Sequence, residues 1–100
     1  MIPRIRTTIT AGEKIPLTFD FNDVLTSTQV ISGSPTITSS IVSGSTNNLT
    51  VSGIGISDDM KKVSCHIQCP ANAKDNHYSI VCSAGADGFV YRVSAEIVQA

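Results

Sequence analysis

Tyr78-Ser79-Ile80-Val81-Cys82-Ser83-Ala84, the turn Gly85-Ala86-Asp87-Gly88, and Phe89-Val90-Tyr91-Arg92-Val93-Ser94-Ala95-Glu96-Ile97 together decide the fold. Before the turn, Tyr78, Ile80, Cys82 and Ala84 recur at every second position. After it, Phe89, Tyr91, Val93, Ala95 and Ile97 do the same, with Arg92, Ser94 and Glu96 between them. Successive side chains of a strand point to opposite faces, so each row belongs to one face, and both rows are expected to point inward. Glycine at the turn supplies backbone freedom that L side chains lack, so the two rows read as a β-hairpin.

The same period runs upstream. Val63, Cys65, Ile67 and Cys69 form an inward row, with Ser64, His66 and Gln68 outside. Pro70 opens a polar loop, 70–76, because proline cannot continue a central strand. Leu17, Phe19 and Phe21 share a face, and Ile5, Thr7 and Ile9 alternate before Ala11-Gly12. Residues 29–32 and 36–43 read as two short strands separated by Gly33-Ser34-Pro35. Leu49 and Val51, then Ile54 and Ile56 around Gly55, suggest further short pieces. Nine valines, twelve isoleucines and ten threonines stand against three leucines, which favours strands throughout, since β-branched side chains suit a pleated surface. About seven short strands at this spacing, with no sustained helical period, imply an all-β, immunoglobulin-like, two-sheet antiparallel sandwich, a single domain over residues 1–100.

Composition narrows the function classes. The chain has 100 residues, a formal net charge of −1, 41% hydrophobic and 15% charged residues. That balance gives no general attraction to phosphate backbones, so no nucleic-acid partner is expected. No apolar run approaches the ~20 residues of a spanning helix, so no membrane partner is expected. Residues 1–6 contain no apolar h-region, which predicts synthesis in a reducing cytoplasm. Three cysteines, an odd number, fit that compartment.

Candidate chemistry is sparse. Cys65-His66-Ile67-Gln68-Cys69 brings soft ligands close in sequence, but on a strand Cys65 and Cys69 lie ~13 Å apart, with His66 on the other face. They cannot converge on one tetrahedral ion, nor can Cys65 and Cys69 form a disulfide. Cys65, Cys69 and Cys82 read as small core hydrophobes, with an oxidised or metal-bound pair as the alternative. His66 and His77 read as surface residues without a nucleophile constellation. Asp20, Asp23 and the pair Asp58-Asp59 lack the spacing of a calcium loop and suit turns. Gly53-Ile54-Gly55 has no following helix to make a phosphate cradle. Asn48-Leu49-Thr50 matches a glycosylation acceptor by chance in a cytoplasmic product. Arg4 and Arg6 lie on one side of the first strand, as a solvated face or as ion-pair donors to a partner subunit. Lys14, Lys61, Lys62 and Lys74 are the lysines that could guard strand edges. The segment 44–48, polar with nothing to bury, is expected to be the most mobile. No catalytic, cofactor-binding or metal residue is assigned, and neither enzyme activity nor a cofactor is expected.

Residues 75–84 resemble the F strand of immunoglobulin-like domains. There a tyrosine at the strand entrance ties its hydroxyl to upstream backbone while its ring fills the core, a role the resemblance gives Tyr78. The match departs from antibody domains: Tyr78 precedes Cys82 by four positions instead of two, no cysteine precedes Cys65, and tryptophan is absent. A second likeness covers most of the chain. Ile15-Pro16-Leu17-Thr18-Phe19-Asp20-Phe21-Asn22-Asp23-Val24-Leu25, Gln29-Val30-Ile31-Ser32, Ser34-Pro35-Thr36-Ile37 and Tyr78-x-Ile80-x-Cys82 are similar to small Ig-like virion proteins of tailed bacteriophages. That resemblance implies a non-enzymatic structural role in the virion after synthesis in the host cytoplasm. The expected position is a tail or neck adaptor for fibres, with capsid decoration as the alternative. The partners would be other virion proteins, met by several copies in a symmetric assembly through residues 1–6 or 29–43. A ligand- or carbohydrate-binding Ig-like module is the alternative of another class. It would need exposed aromatic rings, whereas Phe19, Phe21, Phe89, Tyr78 and Tyr91 all fall on rows expected to face inward.

Overall fold

The computed structural model describes residues 4–44, 48–73 and 75–99, with backbone only for residues 4–6. Seven strands account for it: β1 (Arg4–Ile9), β2 (Lys14–Asp20), β3 (Ser32–Ser43), β4 (Thr50–Ile56), β5 (Lys62–Gln68), β6 (His77–Ala86) and β7 (Phe89–Gln99). They form a four-stranded sheet in the order β1-β7-β6-β3 and a three-stranded sheet in the order β2-β5-β4. Strands two, five and four against three, six and seven is the immunoglobulin-like order.

The expected rows meet between the sheets. Leu17, Phe19, Val63, Cys65 and Ile67 line one inner face, and Tyr78, Ile80, Cys82, Ala84, Val93, Ala95 and Ile97 the other, all buried. Register keeps the rows together: Leu17 lies opposite Cys65 and Phe19 opposite Val63. Likewise Tyr78 lies opposite Ile97, Ile80 opposite Ala95 and Cys82 opposite Val93. Each valine, leucine, isoleucine and phenylalanine among them contributes about 1.5–3 kcal/mol when withdrawn from water. Asp87 and Gly88 form the hairpin turn with φ of 54° and 83°. Positive φ at both central positions is the two-residue turn whose twist matches the strands on either side.

Three expectations are corrected. The pairing is not antiparallel throughout, because β1 runs parallel to β7, Arg4 opposite Ser94 and Ile9 opposite Gln99. The four-residue link after β1 is the cause. Glu13 N–H bonds Thr10 O at 2.9 Å and Gly12 N–H bonds Cys69 O at 3.0 Å. This tight turn passes the chain to the other sheet, so β1 and β2 cannot pair as a hairpin. Second, residues 29–32 and 36–43 are not two strands. β3 is continuous across Gly33-Ser34-Pro35, which form an irregularity between the Ser32 and Thr36 pairings. A bulge absorbs extra residues without ending a strand, and proline tolerates an edge position. Gln29 lies in the preceding loop. Third, Phe89 is 63% exposed although Tyr91, two residues on, is half-buried. Strands β6 and β7 have 10 and 11 residues against 7 in β2, β4 and β5, so the hairpin tip overhangs the facing sheet.

The end of the sandwich away from that tip is closed by polar bonds. Asn76, 1% exposed, donates Nδ2 to the Tyr78 hydroxyl at 2.8 Å. Its backbone N–H bonds Gln99 Oε1 at 3.0 Å, and Gln99 Nε2 bonds Ala73 O at 2.8 Å. Tyr78 is thus fully buried, and its hydroxyl accepts from an asparagine side chain of the loop before β6, where the F-strand likeness implies a tie to upstream backbone. Asn48 guards the open edge of β3, donating Nδ2 to Ser39 O at 2.9 Å while accepting from Ser39 Oγ at 2.8 Å. Of the four candidate edge lysines, Lys14 is on an edge strand. Lys62 is on the central β5, Lys61 is in a loop, and Lys74 lies outside the described residues.

Two measurements test this packing. A Cβ added to Gly44, at φ +107°, would stand 2.7 Å from Asn76 Cα. Gly44→Ala should therefore cost about 2–3 kcal/mol in urea unfolding. Gly12→Ala, at φ +81° with open space around it, should cost only about 1 kcal/mol. Cys65, Cys69 and Cys82 are free and buried. Burial, with the neighbouring Cys65 thiol, pushes the Cys82 thiol up to about 12, and burial raises that of Cys65. Both should be silent to a thiol reagent at pH 8 until urea unfolds the chain. A group with a raised folded-state pKa stabilises below its unfolded value. Cys82 should accordingly lower stability as pH rises from about 9 toward 12, readable as an alkaline drop in Tm.

Candidate interaction surface

Three connections meet at the hairpin-tip end: the loop 21–31, the loop 57–61 and the turn Asp87-Gly88. Ile31 N–H bonds Met60 O at 2.8 Å, and Phe21 N–H bonds Lys61 O at 2.9 Å, joining the first two. Pairing of Ser32 with Gly85 brings the start of β3 beside the hairpin. Each loop is shaped by its own sequence. Phe21 and Leu25 turn into the core, and Phe21 O accepts from Val24 N–H and Leu25 N–H at 3.1 and 2.9 Å. Asp20 caps that turn by accepting Asn22 N–H at 2.9 Å and Asn22 Nδ2 at 2.7 Å. These bonds, the backbone one first, hold its carboxyl below the usual range.

Gln29, 7% exposed, is the buried polar centre of the loop. Its Oε1 accepts Thr26 N–H at 2.9 Å, and its Nε2 donates to the Tyr91 hydroxyl at 3.2 Å. Lys61 grips the same turn: Nζ lies 2.8 Å from Gln29 O, 3.2 Å from Thr26 O and 3.3 Å from Ser27 O. In the loop 57–61, Asp59 accepts from Ser57 Oγ and from Lys61 N–H, and these bonds, the serine's first, lower its carboxyl pKa. Asp20 and Asp59 therefore serve as turn formers. Asp23 and Asp58 are exposed in the same loops.

This end is also where apolar side chains meet water. Val30 (42%), Ile56 (38%), Met60 (49%), Phe89 (63%) and Val90 (62%) are exposed here; among the described residues Val42 and Ile54 are the other large exposed apolar side chains. A groove of about 600 Å³ lies between the start of β3 and the end of β4, lined by Val30, Ile31, Ser32, Gly33, Ile56, Ser57, Asp58 and Met60. Phe89 stands beside Tyr91, ring centroids 6.4 Å apart and tilted by 46°. Val30, Ile56 and Met60 border the groove, while Phe89 and Val90, successive residues of β7, flank opposite faces of the sheet at the same end. Exposed apolar side chains gathered at one end of a domain are a mark of a contact site.

The remaining candidates fall elsewhere. His66 is exposed on the outer face of β5, close to where a Cβ on Gly53 would lie. His77, half-exposed, pairs its Nε2 with Glu96 Oε1 at 2.6 Å on the outer face of the larger sheet. Beside the pair is a hollow of about 170 Å³ lined by Val42, Tyr78, Ser79, Ser94, Ala95 and Glu96. Among the described residues no serine hydroxyl bonds His77. No group of three or more His, Cys, Asp or Glu side chains among them could hold a metal ion. Gly53-Ile54-Gly55 lies inside β4. The side chains of Arg4 and Arg6, most of the segment 44–48 expected to be mobile, and half of the proposed contact segment 1–6 lie outside the described residues.

Sequence reasoning placed Val30 in the expected contact segment 29–43 but missed Met60, Phe89, Val90 and Lys61, which the fold brings to the same end of the sandwich. One signal was present for Val30 and Val90: Val30-Ile31 and Phe89-Val90 are consecutive apolar pairs, and at period two one member of each must leave the core.

No protein-family model matches the chain, and no curated protein does. Among solved structures, a family 123 glycoside hydrolase from Clostridium perfringens, analysed for glycolipid glycan hydrolysis, is similar with a TM-score of 0.52. The alignment covers 97% of this chain at 12% identity and only 23% of the hydrolase, so the chain spans about a quarter of that protein's length. A likeness at that identity is one of fold: the β-sandwich recurs as one part of a larger protein.

Proposed function

We propose that this chain is a non-enzymatic assembly module, an Ig-like structural protein of a tailed-phage virion that joins tail or neck to fibres. One observation carries the docking role: five large apolar side chains, Val30, Ile56, Met60, Phe89 and Val90, are exposed at one end of the sandwich. The loops beneath them are held by buried side chains and hydrogen bonds, so little conformational entropy is lost on contact. The virion setting rests on the likeness of residues 15–25, 29–32 and 34–37 to small phage virion proteins. Copies would bury this end against a larger partner, with the serine- and threonine-rich remainder facing water.

Phe89 supports a second reading. An exposed ring beside Tyr91 is what a carbohydrate-binding module needs, and the similar sandwich in the clostridial protein belongs to a glycoside hydrolase. The 46° tilt of the two rings gives no flat platform for a sugar, which ranks this reading second.

Purified particles of the phage encoding the chain should contain it, and cryo-electron microscopy should place it at the tail–fibre junction with this apolar end buried. The double variant Phe89→Ser, Val90→Ser should fold normally, since both side chains are exposed, yet enter particles roughly 30-fold less, as expected for a truncated aromatic anchor. Particles lacking the chain, or incorporating the variant as efficiently as the parent, would overturn the adaptor role. Glycan binding abolished by Phe89→Ala would then favour the second reading.

A further inference from the structure

Lys61 is engaged in a way its position among turn-forming residues does not suggest. Its ammonium donates to three backbone carbonyls of one turn, those of Gln29 at 2.8 Å, Thr26 at 3.2 Å and Ser27 at 3.3 Å. An ammonium has three N–H donors and no acceptor, so the three contacts use its full capacity. His77–Glu96 is the ion pair found among the described residues, so carbonyl dipoles, and no carboxylate, balance the Lys61 charge. Converging carbonyls of this kind are what a protein otherwise assembles around a bound cation.

We propose that Lys61 is a tethered internal cation that locks the turn 26–29 and thereby positions the apolar docking end, an inference that rests on the docking role proposed above. Three carbonyls aimed at one point repel each other, and a charged donor between them makes that arrangement the stable one. The lock reaches the surface by short links. Gln29 N–H closes the turn onto Thr26 O at 3.2 Å, and the next residue, Val30, is an exposed member of the patch. Ile31 N–H then bonds Met60 O, and Met60, which lines the groove with Val30, Ile31 and Ile56, immediately precedes Lys61. One ammonium therefore fixes both walls of the groove, from the loop 21–31 and from the loop 57–61.

Lys61→Met keeps the length of the stem and removes the charge and the donors, whereas Lys61→Arg keeps both. Hydrogen exchange of the isolated protein reads the lock without any partner. In Lys61→Met the amides of Thr26, Gln29 and Ile31 should exchange at least tenfold faster, while those of β6 and β7 keep their protection. Lys61→Arg should keep loop exchange within about threefold of the parent. Loop exchange in Lys61→Met within twofold of the parent would overturn the lock. So would a uniform rise across loop and core, up to unfolding, which would make Lys61 a general stability residue. Equal loss in Lys61→Arg and Lys61→Met would also overturn it, because a charged donor would then not be what the turn requires. Particle incorporation of Lys61→Met, measured separately, reads the docking role, so failure of that role leaves the exchange result standing.

Discussion

The inward row Tyr78, Ile80 and Cys82 of β6, beside Val93, Ala95 and Ile97 of β7, lies against Leu17 and Phe19 of β2 and Val63, Cys65 and Ile67 of β5. Because side chains alternate at period two, a one-residue slip in any of these strands would send its apolar row to water and draw Ser79, Ser94, Ser64 or Thr18 inside. Every other feature is subordinate to that register. The bulge after Ser32 and the irregularity between Ser52 and Gly55 take up mismatches at the edge strands β3 and β4, leaving the central β5, β6 and β7 in step.

The two ends of the sandwich are finished by different means. At one end, Asn76, Tyr78, Gln99 and Ala73 close the core with a hydrogen-bonded cluster, where an unpaired buried polar group would be costly. At the other end, the loop 21–31 is held by Phe21, Leu25 and Ile31 from below and by Gln29 and Lys61 through its backbone. A loop held this firmly can carry exposed apolar side chains without collapsing over them, a property that suits a permanent contact surface. The edge strand β3 carries its own protection in Asn48, whose side-chain amide bonds the Ser39 backbone carbonyl and the Ser39 hydroxyl.

The buried thiols fit the same account. Cys65 and Cys82 occupy inward positions on facing sheets and act as small apolar fillers, while Cys69 ends the β5 row beside the loop turn at Gly12. No tryptophan or cross-sheet disulfide fills the centre of this sandwich. Tyr78, Phe19 and Phe21, all fully buried, supply the bulk instead.

The inward rows of β2, β5, β6 and most of β7, a hairpin within residues 85–88 and the turn roles of Asp20 and Asp59 were legible from the chain alone, because alternation and turn chemistry act between near neighbours. The fold narrowed the turn to Asp87-Gly88, with Gly85 and Ala86 kept in β6. Tertiary structure decided what depends on distant groups. Whether β1 pairs parallel to β7 turns on which sheet edge a four-residue link can reach. Phe89 obeys the right period and is still exposed, since the facing sheet stops short of it. The engagement of Lys61 with Thr26, Ser27 and Gln29 spans more than thirty positions and leaves no local pattern; only the folded chain brings those carbonyls to one ammonium.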